Sequence, residues 1–157
     1  VPSVEGPWRV LAVDYGSVRL GLALSDTSRQ LATPLVTLDA KKNLMKRFKE
    51  LVAEWDVALV VLGRPFRSDG SPGTIDDRIL HFAQTLGSMG MQVEFWNEAY
   101  SSQRAQGLLT ESDQRRGPKS GRQARKERED GRLDRAAAAV FLQEFLDANA
   151  QLARSEE

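Results

Sequence analysis

The chain contains no cysteine, which excludes disulfides, thiolate metal sites and cysteine nucleophiles together. It has a single histidine, His81, so any metal falls to oxygen ligands and is expected to be a hard cation. No run of about eighteen apolar residues is present to span a membrane. The opening VPSVEGPWRV has neither the basic start nor the apolar middle of a secretory signal. A cytoplasmic protein with no membrane partner is expected. A surplus of one charge is lacking too: 22 basic residues balance 22 acidic ones, which argues against a wholly basic nucleic-acid binder.

The balance conceals a cluster. In RRGPKSGRQARKER the basic residues are Arg115, Arg116, Lys119, Arg122, Arg125, Lys126 and Arg128, against Glu127 alone, so this stretch is suited to a phosphate backbone. With 157 residues, 41% hydrophobic and 28% charged, the chain has the size and composition of one globular domain. The expected domain covers residues 1–150, with a flexible basic insert at about 112–130 and a frayed tail at 151–157.

The segments WRVLAVD (8–14) and LGLAL (20–24) read as two strands joined by a hairpin, with Gly16-Ser17 supplying positive φ at the turn. ATPLVTL (32–38) reads as a third strand, marked as edge or bulged by Pro34. Leu44, Met45, Phe48, Leu51 and Val52 then recur at helical spacing, and VALVVL (57–62) is an apolar β-branched run suited to a buried parallel strand at the sheet centre. A second helix follows over 75–89, a strand over 91–96, a helix capped by Ser101 or Ser102, and a last helix from about Arg132 to Ala148. The fold class is therefore α/β: a mixed five-stranded sheet, an antiparallel three-strand meander followed by alternating helices and parallel strands, with helices on both faces.

Three carboxylates stand where such a sheet places chemistry. Asp14 ends the first strand, at the edge where α/β proteins bind ligands, although a turn Asp before Tyr15-Gly16 is an equally ordinary reading. Glu98 lies between a strand and a helix start, where the helix dipole alone also favours an acid. Asp134 opens the last helix and precedes Ala137, Ala138, Phe141 and Phe145 at helical intervals, so it shares a stripe with apolar residues. Either a ligand or a capping role explains a charge there. Together, three such acids suit a site for divalent cations that hydrolyses a phosphodiester without a nucleophilic side chain. Arg64 and Arg67, in the Gly- and Pro-containing loop after the central parallel strand, are placed to contact substrate. His81, beside Phe82, and Trp8, Trp55 and Trp96 read as structural rather than as ligands or a base-stacking platform.

The segments VLAVDYGSVRLGLALSD, ATPLVTL, LVVLGRPFRSDGSPG, WNEAYSSQRA and LDRAAAAVFLQEFLD resemble, in order and spacing, the YqgF/RuvX family. Its members are described as Holliday junction resolvases and as nucleases for the 5′ end of pre-16S rRNA. The resemblance implies an RNase H-like fold and a site of Asp14, Glu98 and Asp134 holding Mg²⁺ or Mn²⁺. It also sets Arg19 beside that site. The second motif departs from the family pattern: Asn97 stands for the usual Asp and Ala99 for the usual Arg, while Ser101 and Ser102 keep the hydroxyls as candidate substrate contacts. Charge stabilisation then falls to Arg19, Arg64 or the basic stretch.

Junction cleavage and rRNA trimming require the same chemistry, and the residues do not choose between them. Paired incision of a junction favours a homodimer, whereas trimming can use a monomer. Two other classes compete: an actin-like ATP-binding protein, suggested by DYGSVRLGLA but opposed by a chain long enough for only one such domain, and a non-catalytic scaffold of the same fold.

Overall fold

The computed structural model describes residues 2, 4–16, 18–64, 77–97 and 132–156, with backbone alone for 64, 97, 132–134 and 154–156. The expected helix after Ser101 and the basic insert lie outside the described residues.

The elements are β1 (Arg9–Tyr15), β2 (Arg19–Ser25), β3 (Ala32–Asp39), α1 (Leu44–Glu54), β4 (Val57–Arg64), α2 (Asp77–Ser88), β5 (Gln92–Asn97), α3 (Arg132–Ala148) and a 3-10 helix (Ala150–Glu156). They form one five-stranded sheet in the order β3-β2-β1-β4-β5. β1, β2 and β3 pair antiparallel, and β1-β4 and β4-β5 pair parallel. The expected meander and crossovers are thus present, except that β1 rather than β4 is the middle strand. β3 lies at the edge, and its register slips between Leu22 and Ala23 of β2, where Pro34 cannot donate to the ladder. Pro34 therefore marks both an edge and a bulge.

Strand alternation splits the core into two layers. Val10 and Ala12 of β1, with Ala23, Leu59 and Val61, meet Ala138, Phe141, Leu142, Phe145 and Leu146 of α3 on one face. Leu11 and Val13, with Leu20, Leu22, Val60 and Leu62, meet Phe48 of α1 and Ile79, Phe82 and Leu86 of α2 on the other. Full burial of one such side chain stabilises by about 1.5–3 kcal/mol, so a register slip that inverted β1 would exchange both layers at once. Trp8 is buried, and Trp96 packs edge-on against Phe145 at 5.5 Å, both as structural residues. His81 is exposed on α2 rather than packed in the core.

Two expectations are corrected. Gly16 does not have positive φ: its N–H donates to the Arg19 carbonyl at 3.0 Å, closing the hairpin over residues 17 and 18, so Gly16 stands at the strand end. Glycine is required there because a Cβ would lie 2.5 Å from the Arg19 carbonyl oxygen. The tail does not fray from residue 151, because the 3-10 helix buries Leu152. Its carbonyl accepts from Arg29 Nε at 2.9 Å. Among the described residues no helix is long and apolar enough to cross a membrane.

Candidate active site

Asp14 is the sixth residue of β1, half-buried, and shares its alternation with Val10 and Ala12. It therefore belongs to the sheet face that α3 covers. Its neighbours on β2 follow from the register. Asp14 is opposite Gly21, Gly21 is opposite Thr37 of β3, and Arg19 is opposite Asp39. Asp14, Gly21 and Thr37 thus form one transverse row on the α3 face, with Arg19 diagonal to Asp14, where Cβ atoms lie within about 7–8 Å. Because Gly21 has no side chain, the row is open between the acid and the threonine.

The direction of α3 is fixed at both ends. Near its start, Arg135 Nη1 lies 3.5 Å from Thr37 Oγ1, in Asp14's row. Two turns later, Gln143 Oε1 accepts from the Ala32 amide at 2.9 Å, at the opposite end of β3. Beyond the helix, the Leu152 carbonyl meets Arg29, whose Nη1 also donates to the carbonyl of Trp8, just before β1. The helix therefore runs antiparallel to β1 and β3, with its first turn level with Asp14. Residues 135, 139 and 143 form the row facing β3. Asp134, one turn before buried Ala138, belongs to the adjacent row, whose Phe145 packs on Trp96 of β5. The structure thus brings the backbone of Asp134 to the strand end occupied by Asp14.

The third acid is reached from the sheet. Val13 is in register with Leu62, Gly63 with Trp96 and Arg64 with Asn97, so β1, β4 and β5 end side by side, with β1 and β5 about 10 Å apart. Glu98 follows Asn97 directly but lies outside the described residues, as do Arg67, Ser101, Ser102, Arg115, Arg116, Lys119, Arg122, Arg125 and Lys126. Arg64 is placed by its backbone as the last residue of β4. Among the described residues no group of three His, Cys, Asp or Glu gathers to hold a metal. A half-buried carboxylate at a strand end, facing the first turn of a helix that begins Arg-Leu-Asp, is an oxygen-donor arrangement that suits a hard divalent cation.

Sequence reasoning overlooked Thr37, Gly21 and Arg135. Arg135 carried a legible signal, since Ala138 and Leu142 follow it at i+3 and i+7, the same spacing used for Asp134. Arg29 was also missed. It is 1% exposed, donates to the Leu152, Trp8 and Thr27 carbonyls, and lies 4.1 Å over the Trp8 ring. It joins the tail to the start of β1 and so anchors the far end of α3. Its position depends on the preceding turn, where the Asp26 carboxylate accepts the Gln30 and Leu31 amides and the Ser28 hydroxyl. Partial burial pushes the Asp26 carboxyl up, but these hydrogen bonds outweigh it and leave its pKa below the usual value.

Comparison with known proteins agrees with this geometry. The family model described as RuvX, Holliday junction resolvase, matches residues 8–148. A relative from Syntrophus aciditrophicus, named "Putative pre-16S rRNA nuclease", is 35% identical over 146 residues, covering 91% of each chain. Among solved structures, the fowlpox virus resolvase in complex with Holliday junction DNA is similar at a TM-score of 0.52 and 12% identity, covering 89% of this chain and 97% of the other. The Thermus thermophilus RuvC structure is similar at 0.51 and 14%, covering 92% and 97%. At such identities these two likenesses show the fold, which is the expected RNase H-like one.

Proposed function

The chain belongs to the RuvX family of Holliday junction resolvases, a nuclease family, and we propose that it hydrolyses phosphodiester bonds of structured nucleic acid at a site built from Asp14, Glu98 and Asp134. The observation that carries this reading is the antiparallel run of α3 against β1, which sets its first turn beside Asp14 on one face of the sheet. The three acids would hold Mg²⁺ or Mn²⁺, which supplies an activated water and neutralises charge at the scissile phosphate.

The chain's own residues do the rest. Asp14 fixes the site to the middle strand, whose core neighbours leave it little freedom to move. The open row at Gly21 leaves space for a phosphate on the α3 face. Arg19, diagonal to Asp14, brings a guanidinium whose fork matches phosphate oxygens, the role that Ala99 cannot fill. Arg64 and Arg67, Ser101 and Ser102, and the basic stretch from Arg115 through Lys126 bind the substrate backbone, and the protein acts in the cytoplasm. The family description favours a DNA junction and the name of the Syntrophus relative favours precursor rRNA. Both substrates suit one chemistry, with a homodimer for paired incision and a monomer sufficient for trimming.

The test is cleavage of a four-way DNA junction and of an RNA carrying the 16S 5′ extension, with Mg²⁺, with Mn²⁺ and with chelator. Chelator-sensitive cutting by the parent, lost in a folded Asp14→Asn protein, is expected. Wild-type turnover by that variant would overturn the site.

A further inference from the structure

Arg135 stands next to Asp134 on α3, yet its row of the helix faces β3 rather than the centre of the sheet. Its guanidinium lies 3.5 Å from Thr37 Oγ1, on the α3 face, with only the side-chain-free Gly21 between Thr37 and Asp14. Two strand spacings separate β3 from β1, about 10 Å. A cation bound by a carboxylate lies about 2–2.6 Å from its oxygens. The guanidinium is thus too distant to share the phosphate at Asp14. It borders the same open row from the far side.

We infer that Arg135, oriented by Thr37, grips a phosphate flanking the scissile one, so that the substrate strand crosses the sheet end from Asp14 over Gly21 toward β3. The inference rests on the nuclease reading above and adds to it the path of the strand. Three features support it. A neutral hydroxyl at 3.5 Å orients the guanidinium without cancelling its charge, and the planar fork of five donors can serve the protein and a phosphate together. The glycine leaves that path unobstructed on a face otherwise filled by side chains. Arg19, on the same face and opposite Asp39, places a second cationic residue along the same route, between the acid and β3.

The test uses the full chain and equilibrium binding of the same junction and precursor RNA in Ca²⁺, followed by cleavage in Mn²⁺. Arg135→Gln keeps a donor for Thr37 and removes the charge. It should weaken binding roughly tenfold at low salt, as loss of a charge-assisted phosphate contact does. The slope of log affinity against log salt should fall by about one unit. Arg135→Lys should restore the slope, though less of the affinity, and the cleavage defect of Arg135→Gln should fall on KM rather than kcat. A purely structural Arg135 would instead lower the melting temperature and leave the slope alone. Parent-like slope and affinity in a folded Arg135→Gln protein would overturn the inference, and so would failure of Arg135→Lys to restore the slope. If Arg135→Gln does not fold, Thr37→Val decides. Weaker binding with a salt slope unlike the parent's supports the inference, and unchanged binding overturns it. A parent that binds but never cuts would remove the catalytic reading while the binding slopes still decide Arg135, and a parent that binds neither probe would remove both.

Discussion

Replacing Gly16 by alanine tests the link between the hairpin and the site. The added Cβ would sit 2.5 Å from the Arg19 carbonyl oxygen, a backbone atom that no rotamer change can move. To reach even 3.0 Å, the two strand ends must separate by half an ångström, at the position where Gly16 N–H holds that carbonyl. Losing the bond costs about 1 kcal/mol, and overpacking adds roughly 1–3 kcal/mol. Restricting the unfolded chain returns about 0.4–1 kcal/mol, because the φ of Gly16 is not one that alanine avoids. The net cost is roughly 1–3 kcal/mol, a fall in Tm of roughly 3–10 °C for a domain of this size. Gly87, in the last turn of α2 with nothing within 4 Å of its added Cβ, has the opposite expectation: Gly87→Ala gains up to about 1 kcal/mol from helix propensity. Thermal melts of both variants, with cleavage rates at a temperature where both are folded, check the argument. Gly16→Ala should also lose activity beyond its stability loss, because it spreads Asp14 from Arg19, whereas Gly87→Ala should keep it. Parent-like stability of Gly16→Ala would refute the reasoning.

Asp134→Asn should hold or raise the metal-free Tm, since it relieves repulsion among carboxylates, while Mn²⁺ stabilises it less than the parent; an undiminished Mn²⁺ shift with full cleavage would leave Asp134 as a helix-start residue only. Arg29→Ala should cost about 3 kcal/mol in urea melts, because three carbonyls lose a charged donor and Trp8 loses its stacked guanidinium; a cost below about 1 kcal/mol would show the tail to be loosely held. The lowered carboxyl of Asp26 contributes stability that is complete above the unfolded value near 3.9 and is lost as pH falls through the lower folded value. Asp26→Asn should therefore flatten the acid limb of Tm against pH below about pH 4, and an unchanged limb would count against that turn as its source.

How much of this was legible in the sequence depends on whether the signal is periodic or pairwise. β1, β2, β4 and α3 were readable to within a residue or two because each carries an apolar period that only one packing satisfies: Val10 and Ala12 to one layer, Leu11 and Val13 to the other. Pro34 was readable because a missing N–H excludes a central strand wherever it occurs. Gly16 was misread because glycine signals two different needs, positive φ and close approach, and only the Arg19 carbonyl tells them apart. The tail was misread because its anchor, Arg29, is a charge that becomes burial-compatible only when three carbonyls and a tryptophan face converge on it from distant segments. The site divides in the same way. Asp14 is a strand-end residue and Asp134 a helix-start residue, so the ends of elements announced both. That they occupy one face at one level follows from the direction of α3, which no local pattern encodes. The direction is set by contacts between residues about a hundred positions apart, Arg135 with Thr37 and Leu152 with Arg29. Those contacts, rather than the acids themselves, make a common site possible, so a change at Arg29 should reach the chemistry through the far end of α3.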